Sequence, residues 1–154
     1  MGSEMCIRDR HHGRTYEDRK KSSPDLYLDI MKLLIKAEDD INLLHANFDT
    51  TLHIAARKGN PIYLEVLLKS GARPDLPNKY GMTPLHEACR AGHAACAKLL
   101  AKYVDDLSPR AKSGFTPLHF ACRGGYKLTM GVMMKKGARN DIRANNGLTP
   151  LDML

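Results

Sequence analysis

Two His-x-x-Cys pairs, His86 with Cys89 and His119 with Cys122, are the side chains best placed for chemistry. A spacing of three puts each pair on one helix face. There imidazole and thiol could bind a metal, or the imidazole could activate the thiol as a nucleophile. A shared zinc does not fit, because packed helices lie about 8–10 Å apart and zinc–ligand bonds are about 2.0–2.3 Å. Cys89 and Cys122 stand in the register of Ala56. A small buried packing site, where cysteine acts as a small hydrophobe, is therefore the better reading. Cys96 has no evident partner, and neither a metal nor a cofactor is expected.

A second set is Arg57, Arg90 and Arg123, spaced 33 residues apart. Guanidinium groups are rigid donor forks suited to carboxylate or phosphate, so a stack of three would make a basic recognition stripe. Lys58 extends the charge at one end and Glu87 interrupts it in the middle. Arg110 and Arg143, at matching loop positions, continue it. The plainer alternative is that solvated basic residues keep the chain soluble. That alternative is favoured over any specific acidic contact, since charge alone is weak evidence. Phe120 shares a register with Ile54 and Glu87 and is the candidate apolar anchor, since aromatics are enriched at binding hot spots. Ordinary packing explains it equally well. No glycine-rich phosphate loop, Ser-His-Asp arrangement or acid–base carboxylate pair can be placed, so no enzyme is expected. His11-His12 is too short for a metal site, and Asp105-Asp106 reads as a solvated loop.

The elements that position these residues follow from a 33-residue period. Thr83-Pro84-Leu85-His86 recurs as Thr116-Pro117-Leu118-His119, and with one change each as Thr50-Thr51-Leu52-His53 and Thr149-Pro150-Leu151-Asp152. Gly59, Gly92 and Gly125 keep the same spacing, as do Gly81, Gly114 and Gly147. In each unit threonine caps a helix, and in all but the one at Thr50 proline fits its first position. In the middle unit this helix is expected to run to about Ala91, where Gly92 ends it. A second helix is expected over roughly Ala94 to Lys102, with Leu99 and Leu100 in the core. Its counterparts are Leu64, Val66, Leu67 and Leu68 before it, and Met130, Val132, Met133 and Met134 after it. Helices this short are marginal alone, so stacked neighbours must bury their apolar faces.

The signature at Thr83–Ala88 and Thr116–Ala121 resembles the ankyrin repeat over about residues 49 to 154. That resemblance implies an all-α solenoid of stacked antiparallel helix pairs joined by protruding hairpin loops. It implies protein binding through hairpin tips and the first-helix surface, with Arg57, Arg90 and Arg123 on or near the concave face. It also implies that His53, His86 and His119 tie adjacent repeats by hydrogen bonds. The middle unit departs from the pattern. Val104 replaces the glycine of Gly71 and Gly137, and Pro109 replaces the apolar Leu76 and Ile142. A β-branched residue is costly in the left-handed conformation, so that loop is expected to be rerouted, with Leu107 taking over the lost apolar contact.

The expected divisions are a disordered basic segment over 1–22, a degenerate repeat or cap over 23–48, and repeats over 49–81, 82–114 and 115–147. A truncated start of a further repeat covers 148–154. Within 23–48 a helix is expected over 26–37 from the spacing of Leu26, Ile30, Leu33, Leu34 and Ala37. Residues 4–10 fit no repeat register and read as a processing or sequencing remnant. The stop at Leu154, within a repeat, leads to the expectation of a fragment.

The 154 residues are 43% hydrophobic, enough for a core. Neither an apolar run of membrane-spanning length nor a signal-peptide stretch is present. Four cysteines are too few for a secreted disulfide framework, so an intracellular, reducing setting is expected, in the cytoplasm or nucleus. The formal charge of +7 weakly favours an acidic partner. With 6% aromatics and no Trp, stacking platforms for single-stranded nucleic acid are lacking, so nucleic acid is not the expected partner. The expectation is a monomeric, non-catalytic protein-interaction scaffold or adaptor. The alternative is the substrate-recognition part of a larger protein such as a ubiquitin-ligase receptor, kinase or channel.

Overall fold

The computed structural model describes residues 41–154, together with Asp29, Lys32 and Leu33. The chain divides into two compact parts, Met1–Ala37 and Glu38–Leu154, and the helices and repeat units below belong to the second. The expected disorder of 1–22 lies outside the described residues. So does the helix over 26–37, save that Asp29, Lys32 and Leu33 are helical.

Three helix pairs follow one another: α1 (Thr51–Lys58) with α2 (Pro61–Lys69), α3 (Pro84–Ala91) with α4 (Ala94–Ala101), and α5 (Pro117–Gly124) with α6 (Lys127–Lys136). A single 3-10 turn stands on each side, Ala46–Phe48 and Pro150–Met153. Among the described residues there are helices and turns but no strand. Helices α1, α3 and α5 pack in one row, and α2, α4 and α6 in a second. This is the solenoid of antiparallel helix pairs that the ankyrin-repeat resemblance implies.

The local reasons are visible at each start. Pro84 and Pro117 open their helices, and the hydroxyls of Thr50 and Thr116 accept from the N–H groups of His53 and His119. The core is the 33-residue lattice made solid. Leu52, Leu85 and Leu118 are buried in the first row, and Leu67, Leu100 and Met133 in the second. Each such side chain stabilises the fold by about 2 kcal/mol relative to exposure. Helix α4 ends at Ala101 rather than Lys102, and Leu99 is only half-buried. Of the methionines and valine expected in the core of α6, only Met133 is buried, while Met134 is 43% exposed. The register mate of Met134 on α2, Leu68, is buried where α4 packs on α2. Among the described residues no second helix follows α6 to cover its outer face.

The loops run parallel from unit to unit. The N–H groups of Lys79, Lys112 and Asn145 donate to the carbonyls of Asn47, Tyr80 and Ser113, one loop back. Side chains add a second stitch, with Asn42 Oδ1 accepting from the N–H of Arg73 and Ser108 Oγ from that of Arg139. The middle loop is rerouted, as expected. Gly71 (φ 98) and Gly137 (φ 103) are left-handed, and Val104 is not. The closing bonds Ala72 N–H to Leu67 O and Ala138 N–H to Met133 O have no counterpart after α4, where Tyr103 N–H reaches back to Leu100 O instead. Leu107 sits half-buried in the rerouted loop.

Candidate functional site

The histidines are committed on both nitrogens. Nδ1 of His53, His86 and His119 accepts the N–H of Thr50, Thr83 and Thr116 at 3.0–3.1 Å. A neutral imidazole accepts on one nitrogen and donates on the other. The Nε2–H therefore donates to the carbonyls of Met82, Phe115 and Leu148, at 2.7, 2.9 and 2.9 Å. Each bond crosses to the next unit. Burial pushes the His53 and His86 imidazoles toward the neutral form, His86 down to about 4. Burial pushes the thiols the other way: Cys89 and Cys122 are raised and Cys96 is pushed up to about 11. A protonated thiol is a poor nucleophile, and neither imidazole has a nitrogen free to activate one. Among the described residues no three metal-binding side chains come together.

The arginine ladder divides into unlike rungs. Arg57 Nη2 lies 2.6 Å from Asp49 Oδ2, and its Nε lies 2.9 Å from Glu87 Oε2. The Asp49 and Glu87 side chains are 6% and 2% exposed, against 41% for Arg57. Asn78 Nδ2 donates to the other Asp49 oxygen at 2.9 Å. Burial alone would raise the Asp49 carboxyl. Hydrogen bonds from Arg57 and Asn78, with the Arg57 charge, outweigh it and hold the group below its usual range. The Glu87 hydrogen bond, and then Asp49, raise the Arg57 guanidinium further. Glu87 is thus no exposed break in a basic stripe. It is a buried counter-charge, and burial of its carboxylate requires such pairing.

Arg90 sits 3.9 Å from the second Glu87 oxygen, at the outer limit of an ion pair. The Arg123 side chain is exposed and has no ion pair or hydrogen bond among the described residues. Arg90, Phe120, Arg123 and Gly124 line a cleft of about 510 Å³. Phe120 stands half-buried there, edge-on to Phe115 at 5.2 Å and to His86 at 5.9 Å. Packing between repeats and a partly open ring are both present in this one residue. Helix dipoles supply a further reason for the ladder, since all three arginines lie in the last turn of their helices.

The remaining basic residues lie apart. Arg110 donates to the Arg143 carbonyl at 3.0 Å and Arg143 to the Gly147 carbonyl at 2.8 Å, so both brace loops. Lys58 is exposed beside Arg57. Sequence reasoning missed Asp49 and Asn78. The signal was there for Asp49, a charged residue in the register of buried Met82 and Phe115.

A family model of ankyrin repeats, in three copies, matches residues 23–111, and a further ankyrin repeat matches 113–145. The chain belongs to the ankyrin-repeat family. Repeats of this family are in general protein–protein interaction modules and typically non-catalytic. No curated protein matches the chain. No described helix is long and apolar enough to cross a membrane.

Proposed function

We propose that this chain is a non-catalytic scaffold or adaptor that holds a protein partner on the first-helix face, centred on Arg90, Phe120 and Arg123. The observation that carries this reading is the uncommitted Arg123 guanidinium, in a cleft with Arg90 and a partly open aromatic ring. The partner presents carboxylates, which guanidinium forks bind in pairs, next to an apolar group for the ring. Lys58, Arg110 and Arg143 lie apart from this cleft and add to the positive charge of the chain, and Arg57 and Glu87 hold the neighbouring wall in place. The chain acts as a monomer in an intracellular, reducing setting, a reading supported by three buried free thiols.

The test is capture of partners by the purified chain and by an Arg90→Glu, Arg123→Glu variant, each first shown to be folded by circular dichroism. Specific proteins retained by the first and lost by the second support the reading. Identical retention by both would remove this cleft from the binding surface. Arg57 is left intact, because a carboxylate there would face two buried carboxylates and disrupt the fold.

A further inference from the structure

The loop side of the molecule carries a second cleft, which shares no lining residue with the first. It also measures about 510 Å³, within the range of small-ligand and side-chain pockets. Pro74 and Asp75 line it from the loop after α2; Tyr103, Val104, Asp106 and Pro109 line it from the loop after α4. Asp105 lies on the same wall, and the cleft reaches Thr83, which caps α3, and Leu85 within it.

Its origin is the broken lattice. Asn42 and Ser108 each accept the N–H of the residue 31 positions on, which joins successive loops. By that register Asp75 would accept from Asp106. It pairs instead with Arg73 on its own loop, at 3.0 Å. The register mate of Arg73 and Arg139 is Asp106, so the middle loop carries an acid where its neighbours carry a base. Asp106 accepts from the N–H of Ser108, and neither it nor Asp105 has an ion pair among the described residues. The result is a negative cleft in a chain of net charge +7.

We infer that this cleft binds a basic segment of a partner protein, seating a lysine or arginine side chain. The fit has three parts. Asp105 and Asp106 supply uncompensated negative charge for the cationic head. Pro74, Val104 and Pro109 give apolar surface to the methylene stem, which such side chains bury while the head stays polar. Tyr103, 39% exposed, offers a ring face to a cation. The rest of the molecule is basic and repels such a segment, so a cationic probe tests this cleft with little background.

The probe is a capped peptide, Gly-Ser-Arg-Lys-Leu-Arg-Ser-Gly, titrated into the full chain and followed by amide NMR shifts and calorimetry. The control peptide carries citrulline for each Arg and norleucine for Lys. The expected result is shifts centred on residues 103–109, with at least tenfold weaker binding by the control peptide. An Asp105→Asn, Asp106→Asn variant should weaken binding at least tenfold; it keeps the acceptor for Ser108 and should fold. Asp141→Asn, on the next loop, should leave the affinity unchanged. No binding, equal binding of the control peptide, an unchanged affinity in the double variant, or equal weakening by Asp141→Asn would each overturn the inference.

Discussion

The two junctions between successive helix pairs are built in opposite ways. Where the first pair meets the second, the helix side is closed by Asp49, Arg57 and Glu87, and the loop side is open because Asp75 and Asp106 do not join. Where the second pair meets the third, the helix side is open around Phe120 and Arg123, and the loop side is stitched by Ser108 to Arg139. Both junctions share the buried leucine lattice and the histidine ties, which carry the fold. Repetition therefore fixes the backbone and core, and the departures from repetition place the two clefts. A residue type that recurs in register need not recur in role: Arg57 is held by two carboxylates, and its mate Arg123 by none among the described residues.

The largest expected effect strikes what the junctions share. His86 is depressed to about 4 in the fold, against an ordinary value of about 6.5 in the unfolded chain. The unfolded state thus takes up the proton first. Stability from this group is complete above about pH 6.5 and falls as the pH drops toward 4, by up to about 1.4 kcal/mol per pH unit. His53 is displaced in the same direction and adds to the loss. Urea unfolding midpoints at several pH values check this, and a flat profile from pH 7 to 4 would refute it.

Next in size is Arg57→Ala, which strands the buried carboxylates of Asp49 and Glu87. Breaking a fully buried pair costs about 3–5 kcal/mol, and the partial exposure of Arg57 reduces this to about 2 kcal/mol. Replacing the set together, as Asp49→Met, Arg57→Leu and Glu87→Leu, should recover most of that loss, because no charge is left unpaired. Recovery is read from the same urea midpoints. Smaller again is Gly137→Val. Nothing lies within 4 Å of a Cβ built there, so the cost is that of the left-handed backbone alone, about 1–2 kcal/mol. A thermal shift of several degrees is expected, and no shift would show that the loop reroutes as freely as the one at Val104.

The fold was legible because its signals are periodic. Thr-Pro starts, glycine ends and leucine positions repeat often enough that each unit confirms the next. The rerouting at Val104 was legible for the same reason, as a β-branched residue where a positive φ is required. The ion network was not, because it is a single exception. Position 87, between Ile54 and Phe120 in register, reads as variable surface until its side chain is seen against Arg57. Asp49 in an apolar register was the clue, and pairing it needed the geometry. The exposure of Met134 was hidden because periodicity gives a residue's face and not what covers that face.

The central claim, that rungs of one ladder divide between fold and recognition, is tested most directly by urea unfolding of Arg57→Ala and Arg123→Ala side by side at pH 7. The predicted result is a loss of about 2 kcal/mol for the first and less than about 0.5 kcal/mol for the second, as expected of an unpaired surface residue. Equal losses in the two variants would contradict it.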